Sequence, residues 1–381
     1  MSKKVRFGIV GCGLMGREFG SAVARWCHLT EEVAKPEIVG VCDRNTSATA
    51  WFTDNFESVK YVTDDYKELL EKEDIDAIYC ALPHNLHAKV YSDIIRAGKH
   101  LLGEKPFGID MAANAEILKA IEENPKVVVR CASEFPFFPA CTELIRWIKE
   151  DKFGKIIEVR AGFKHSSDMD LTKPINWKRM IDINGEYGCM GDLGIHTQHV
   201  PFHVGWTPKN VYAVLSNIAT ERPDGKGGVV PCETWDNATL VCDAADKLGN
   251  SFPMIFETKR MSPGSTDEWY IEVDGLQASA KFNSNDPNAF MYTQAVGKEQ
   301  AWCRLNIGYK PQFKTITGGI FEFGFTDAIL QMWCSFMKEV CGEEVAFGCF
   351  TPEETRLSHK LLTAALKSNK EKRVVELSEV E

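Results

Sequence analysis

Residues 5–10, VRFGIV, form a short apolar run of strand character that ends on Gly11-Cys12-Gly13-Leu14-Met15-Gly16, and residues 17–26 continue with a helical pattern. No other feature of the chain restricts its fold so strongly. A glycine triplet spaced GxGxxG between a strand and a helix provides a tight turn at Gly11 and lets a pyrophosphate approach the backbone at Gly13. It also lets helix and strand pack closely at Gly16, with the phosphates on the helix N-terminus near Leu14 and Met15. The spacing predicts a dinucleotide-binding unit with a parallel sheet.

The following residues fit that frame. Residues 37–42 are a second strand pattern ending at Asp43, where a carboxylate accepts hydrogen bonds from an adenosine ribose and repels a 2′-phosphate. NAD is therefore the expected cofactor, while Arg44 alongside keeps NADP open. Strand and helix signals then alternate: strand 76–82 stopping at Pro83, helix 88–97 ending at Gly98, strand 99–102, helix 111–123 and strand 127–129. Such alternation predicts a doubly wound sheet whose ligands sit at the carboxyl ends of the strands, and Leu82, His87, Glu104 and Lys105 fall at such ends. The second half instead shows β-like runs at 156–163, 211–215, 238–243, 254–258, 269–273 and 278–282, separated by turn-rich stretches, with an apolar helix over 325–340. The expected division is an NAD(P)-binding domain over 1–132 and a second, strand-rich domain over 133–381.

Composition narrows the partners. A net charge of -10 argues against nucleic acid or an anionic membrane surface as the main partner. Thirteen scattered cysteines without a CxxC pair suit reduced thiols rather than a disulfide framework. The opening MSKKVRFGIVGCG lacks the apolar core of a secretory signal, and no apolar stretch approaches the ~20 residues of a membrane helix. A cytoplasmic protein acting on small molecules is the expectation.

The segments GIVGCGLMG, LPHNLHAKVYSDIIRAGKHLLGEKP and GDLGIH resemble the Gfo/Idh/MocA oxidoreductases, named after glucose–fructose oxidoreductase, inositol dehydrogenase and a rhizopine-catabolism protein. The resemblance continues through Phe138-Pro139, Phe153-Gly154-Lys155-Ile156 and a helix around 351–368. It implies a Rossmann domain followed by an α+β domain on a large, mostly antiparallel sheet, whose open face commonly makes homo-oligomer contacts. It further implies oxidation of a secondary hydroxyl of a sugar, glycoside or cyclitol, with hydride transfer to NAD(P). Lys105, Asp192 and His196 match the family's catalytic lysine, aspartate and histidine, and the Lys105–Pro106 bond is often cis in relatives. His199 stands where the family often has a second aspartate. Other relatives cleave glycosides by cycling bound NAD through a 3-keto sugar, or bind dinucleotides as non-catalytic regulators.

On its own residues, the segment Gly188–His203 gives a compatible reading. Asp192 and His196 lie one helical turn apart, so an aspartate that raises and orients the imidazole would make His196 a general base. Lys105 would hold the substrate hydroxyl with a depressed pKa. Trp177, Lys178, Tyr187 and His199 are expected against the substrate, and His87 against the cofactor. His199 and His203 extend the Asp192 face, and a metal set there competes with the reading adopted, which has none, because Pro201 would disturb the helix.

Overall fold

The computed structural model describes every residue except 1, 2, 32, 296, 297, 318–320, 322 and 381. The first sheet is built from β1 (Lys4–Val10), β2 (Lys35–Cys42), β3 (Tyr61–Thr63), β4 (Ala77–Cys80), β5 (His100–Gly103) and β6 (Val129–Cys131). All neighbours are parallel, in the order β3-β2-β1-β4-β5-β6, which is the doubly wound arrangement the alternating pattern predicts. The strands bury both faces, so they carry continuous apolar runs such as FGIV in β1. Crossovers run through α1 (Leu14–Ala24), α2 (Ala50–Asn55), α3 (Tyr66–Leu70), α4 (His87–Arg96) and α5 (Met111–Glu123). Helix α1 begins at Leu14, three residues ahead of the predicted start, because the glycine turn feeds straight into it. Asp110 caps α5, its carboxylate accepting from Ala113 N at 2.8 Å.

After α6 (Pro139–Lys149) the chain enters β7 (Ile156–Lys164), then α7 (Ile181–Asn184) and α8 (Cys189–His203). The remaining strands are β8 (Thr207–Pro208), β9 (Asn210–Ser216), β10 (Glu221–Pro223), β11 (Val229–Pro231), β12 (Asn237–Ala245), β13 (Ser251–Lys259), β14 (Glu268–Gly275), β15 (Ala278–Asn283), β16 (Ala289–Gln294), β17 (Cys303–Asn306) and β18 (Val375–Glu376). Among the described residues β7 and nine of these make one large ten-stranded sheet, ordered β17-β16-β15-β14-β7-β13-β12-β9-β18 with β8 on β12. Only β7 and β13 pair in parallel; the other pairs are antiparallel. Along β12 burial alternates residue by residue, since one face packs inward and the other, with Tyr212, Val214 and Val241, faces out.

Helix α8 lies on the inner face against β13 and β7. It is buried from Cys189 to Phe202, which explains why its sequence has no polar stripe. Pro201 sits inside it without ending it; the helix runs on to His203, so the expected disturbance does not part His199 from His203. The last helices, α9 (Phe325–Val340) and α10 (Pro352–Glu371), return to the first domain. Trp333 of α9 packs against Phe7, Phe19 and Tyr79, so a C-terminal helix covers one face of the N-terminal sheet. Thr351 and Glu354 form a capping box that starts α10, and Thr355 bonds Asn114 of α5. Among the described residues no helix is long and apolar enough to cross a membrane.

Candidate active site

Two adjoining hollows open at the carboxyl ends of β1, β2, β4 and β5. The outer one, about 400 Å³, is bordered by Gly11, Gly13, Asp43, Arg44, Asp64 and Leu82. Gly11 has φ +99°, and a Cβ there would stand 2.3 Å from the carbonyl oxygen of Ala81, while one at Gly16 would stand 2.2 Å from that of Gly11. Those two glycines are required by the protein's own packing. Gly13 is different, because a Cβ at this position meets nothing within 4 Å. Its bare backbone instead borders both hollows at the N-terminus of α1, as a pyrophosphate-binding turn requires. Asp43 is held in place by Cys12 N (2.8 Å) and Asn45 N (2.8 Å), at the end where an adenosine ribose would lie. These residues fit a dinucleotide.

The inner hollow, about 480 Å³, shares Gly13 and Leu82 with the first and adds Leu14 and Met15 from the glycine turn. Glu104 and Lys105 enter from the end of β5, and Asp192 and His196 from α8. Trp177 and Lys178 close one side, and Phe135, Phe163 and Phe325 another. The Lys105–Pro106 bond is cis. Lys105 Nζ donates to both the carbonyl oxygen (2.7 Å) and Oδ1 (2.6 Å) of Asp192, across 87 positions of sequence.

Asp192 is the hub of the cleft. Lys178 Nζ donates to Oδ2 at 2.9 Å, and the Arg260 guanidinium stands 2.8 Å from the same oxygen. Burial pushes the carboxyl up, but Lys105, Lys178 and Arg260 outweigh it and hold it well below the usual range. Burial likewise pushes Lys105 down, yet Asp192 and Glu104 more than compensate, so its pKa is raised rather than depressed as expected. The depressed amine is Lys178, where the attraction of Asp192 is overcome by burial together with the charges of Lys105 and Arg260.

Asp192 does not orient His196, contrary to the one-turn spacing argument. Its two oxygens are occupied by the three cations, and the imidazole is turned so that Nδ1 faces Ser133 Oγ (3.3 Å) and Glu134 Oε2 (4.0 Å). Phe135 and Phe163 flank the ring edge-on, and Trp269 Nε1 donates to its backbone carbonyl. The histidine pKa lies well below normal, not above: burial and then Lys105 dominate the opposing pull of Asp192. Neutral imidazole is thus the resting form. Glu104 is also displaced upward by burial and accepts from the Tyr79 hydroxyl at 2.7 Å.

Three expected contacts lie elsewhere. His87 is fully buried beneath the strand ends, with Nε2 donating to Leu82 O at 2.9 Å and its ring stacked on Tyr91, so it supports Leu82 from below. Tyr187 is buried against α10, its hydroxyl bonded to Thr363 Oγ1 at 2.7 Å. His199 packs among Phe137, Phe347 and Phe350 and donates Nε2 to Gly348 O, because α8 turns this face away from the cleft. His203 pairs with Glu354 at 2.8 Å, so Asp192, His196, His199 and His203 do not converge. Sequence reasoning missed Arg260, which only β13 brings to Asp192, and also His84, His165 and Asp267 on the cleft wall. It also missed Glu134, which had a signal: a lone carboxylate immediately before the apolar run Phe135-Pro136-Phe137-Phe138, just past a strand end.

Comparison with known proteins bears on the fold and the family. The chain is 27% identical over 303 residues to levoglucosan dehydrogenase of Pseudarthrobacter phenanthrenivorans, covering 74% of each chain. It is 33% identical over 223 residues to dTDP-3,4-didehydro-2,6-dideoxy-alpha-D-glucose 3-reductase of Saccharopolyspora spinosa, covering 58% of this chain and 62% of that one. A solved structure of levoglucosan dehydrogenase with NADH and L-sorbose superposes with a TM-score of 0.88 at 20% identity, covering 98% of this chain and 99% of the other, a likeness of fold. Residues 5–131 match the oxidoreductase family with an NAD-binding Rossmann fold, and residues 142–281 match the C-terminal domain of the same family. With its glycine turn, strand order and second sheet all in that pattern, the chain belongs to the Gfo/Idh/MocA oxidoreductase family and carries its NAD-binding domain.

Proposed function

We propose that the protein is a dehydrogenase that oxidises a ring secondary hydroxyl of a sugar, glycoside or cyclitol with NAD. The observation that carries this reading is the convergence of Lys105, from the first domain, with Asp192 and His196, from the second, on one cleft continuous with the dinucleotide groove. The bound nicotinamide supplies the hydride acceptor. Lys105, firmly charged, spends two of its three N–H groups on Asp192 and keeps one for the substrate oxygen. Neutral His196 takes the hydroxyl proton on the nitrogen opposite Ser133. Asp192 sets the position of Lys105, and Lys178 adds a second donor. Trp177 and the phenylalanines supply apolar faces for a sugar ring and limit water. Asp43 and Asp64 at the ribose end favour NAD over NADP. The relatives named for levoglucosan and for a dideoxyglucose nucleotide support a sugar-like substrate.

The test is absorbance at the reduced-nicotinamide band with levoglucosan, alkyl glucosides, inositols and sugar acids, each with NAD and NADP. Reduction of NAD by at least one neutral polyol is expected. No cofactor reduction across the panel, or glycoside cleavage without net NADH, would overturn the dehydrogenase reading.

A further inference from the structure

Glu134 is a carboxyl group without an assigned task. It is 6% exposed, borders the inner cleft, and among the described residues its carboxylate has no side-chain hydrogen-bond partner. The group it faces is His196 Nδ1, 4.0 Å from Oε2, with Ser133 Oγ beside that nitrogen at 3.3 Å. An isolated carboxylate at nine-tenths burial is costly unless it is neutral or serves a partner. The imidazole is equally constrained: walled by Phe135 and Phe163 and next to the cationic Lys105, it is a poor place for a second positive charge.

We propose that Glu134 is the far end of a proton path through His196, so that oxidation of the substrate never requires an imidazolium. The inference rests on the dehydrogenase reading of the cleft. The substrate O–H bond breaks and its proton joins Nε2. The Nδ1–H bond breaks in concert and that proton joins Glu134 Oε2. The electron pair of the substrate C–H bond leaves as hydride to NAD, and the carbon becomes a carbonyl. Histidine ends neutral in its other tautomer, and Glu134 ends as the acid, which releases its proton to the cleft. A bridging water, or a side-chain shift of about 1 Å, closes the gap to hydrogen-bond length. Glu134 acts through another residue, so it is a positioning residue rather than a catalytic one.

Its chemistry suits the role. Burial, reinforced by Glu104 at the end of β5, pushes the Glu134 carboxyl up to about 8, with Asp267 adding to the push and Lys105 opposing it. Asp267 is itself paired with His165, at 3.4 Å. A carboxyl displaced that far is an acid at neutral pH and a base just above it. On this path the ionised Glu134 serves oxidation, by taking the proton, and the acid serves carbonyl reduction, by giving it back.

The test begins without substrate. In histidine-labelled protein the 15N resonances of His196 are followed between roughly pH 6 and 10. An inflection near the Glu134 value with the ring still neutral is expected, and Glu134→Gln should abolish it. Glu134→Asp, which keeps the acid, should retain it with a displaced midpoint and serves if the Gln variant fails to fold. Absence of the inflection, or its survival in Glu134→Gln, overturns the proposal. With a panel substrate that turns over, the same change should lower oxidation about 100-fold and flatten the rise with pH; an unchanged rise also overturns it. A wild-type protein that keeps the inflection but oxidises no polyol sinks the dehydrogenase reading alone.

Discussion

Replacing Asp192 with Asn removes one negative charge and leaves the shape of the side chain almost intact. Asp192 is 3% exposed, and its carboxylate faces Lys105 at 2.6 Å, Lys178 at 2.9 Å and Arg260 at 2.8 Å. Without it three cations crowd one cleft. Arg260 is buried and Lys105 largely so, and they bear most of the loss; Lys178, with 40% of its side chain exposed, is partly screened and adds less. Breaking a buried ion pair from one side costs about 3–5 kcal/mol. Unfolding entropy of ~2 cal/mol/K per residue over 381 residues converts about 4 kcal/mol into a fall of about 5 °C in Tm. The pH dependence follows from the directions of the shifts. In the variant the lysines are pushed below their unfolded pKa near 10.4, so the unfolded state binds more protons and stability rises as pH climbs toward that value. Native Lys105, whose pKa is raised, keeps its contribution over the same range. The gap between the two proteins should narrow from about pH 7 to pH 9 in scanning calorimetry. An Asn variant melting within about 1 °C of the native protein at neutral pH, or a gap that does not change with pH, would refute the hub assignment.

Further predictions test other parts of the structure. Gly13→Ala should cut NAD affinity by about 100-fold in titration calorimetry while the free protein melts unchanged, since the added Cβ meets no protein atom and fills only the phosphate space. Burial lowers His87 to about 3 and His359 to about 4, below the unfolded value near 6.5, so protons bind only the unfolded chain as pH falls through that window. At pH 5 the two together should cost about 4 kcal/mol, read as a lower urea midpoint than at pH 7, and equal midpoints would count against their burial. Trp333→Ala opens a hole against Phe7, Phe19 and Tyr79, and should cost about 3–5 kcal/mol; fluorescence and calorimetry should show the N-terminal sheet weakened although the change lies in a C-terminal helix.

The division between what the sequence determines and what the tertiary structure decides follows the range of the interactions. The glycine turn, the acid at the end of β2, the helix caps and the alternating strands are local: each depends on backbone freedom, capping or periodicity within a few residues, so the doubly wound sheet is legible from the residues alone, whereas the second half shows only its strand runs and owes the antiparallel sheet to the family resemblance. Of the cleft residues, Lys105 is marked by its strand end, Asp192 and His196 by the family resemblance, and Trp177 and Lys178 by their place in the loop ahead of α8. Their partnerships are not. One-turn spacing joins Asp192 to His196, but Lys105 arrives from 87 positions away and Arg260 from another strand, and two buried positive charges outbid a neutral ring for a carboxylate. The same competition reverses the expected shifts on Lys105 and His196 and turns His199 into packing. Helical periodicity places a side chain on a face of α8; only the packed neighbours decide what that face meets and which proton it can hold.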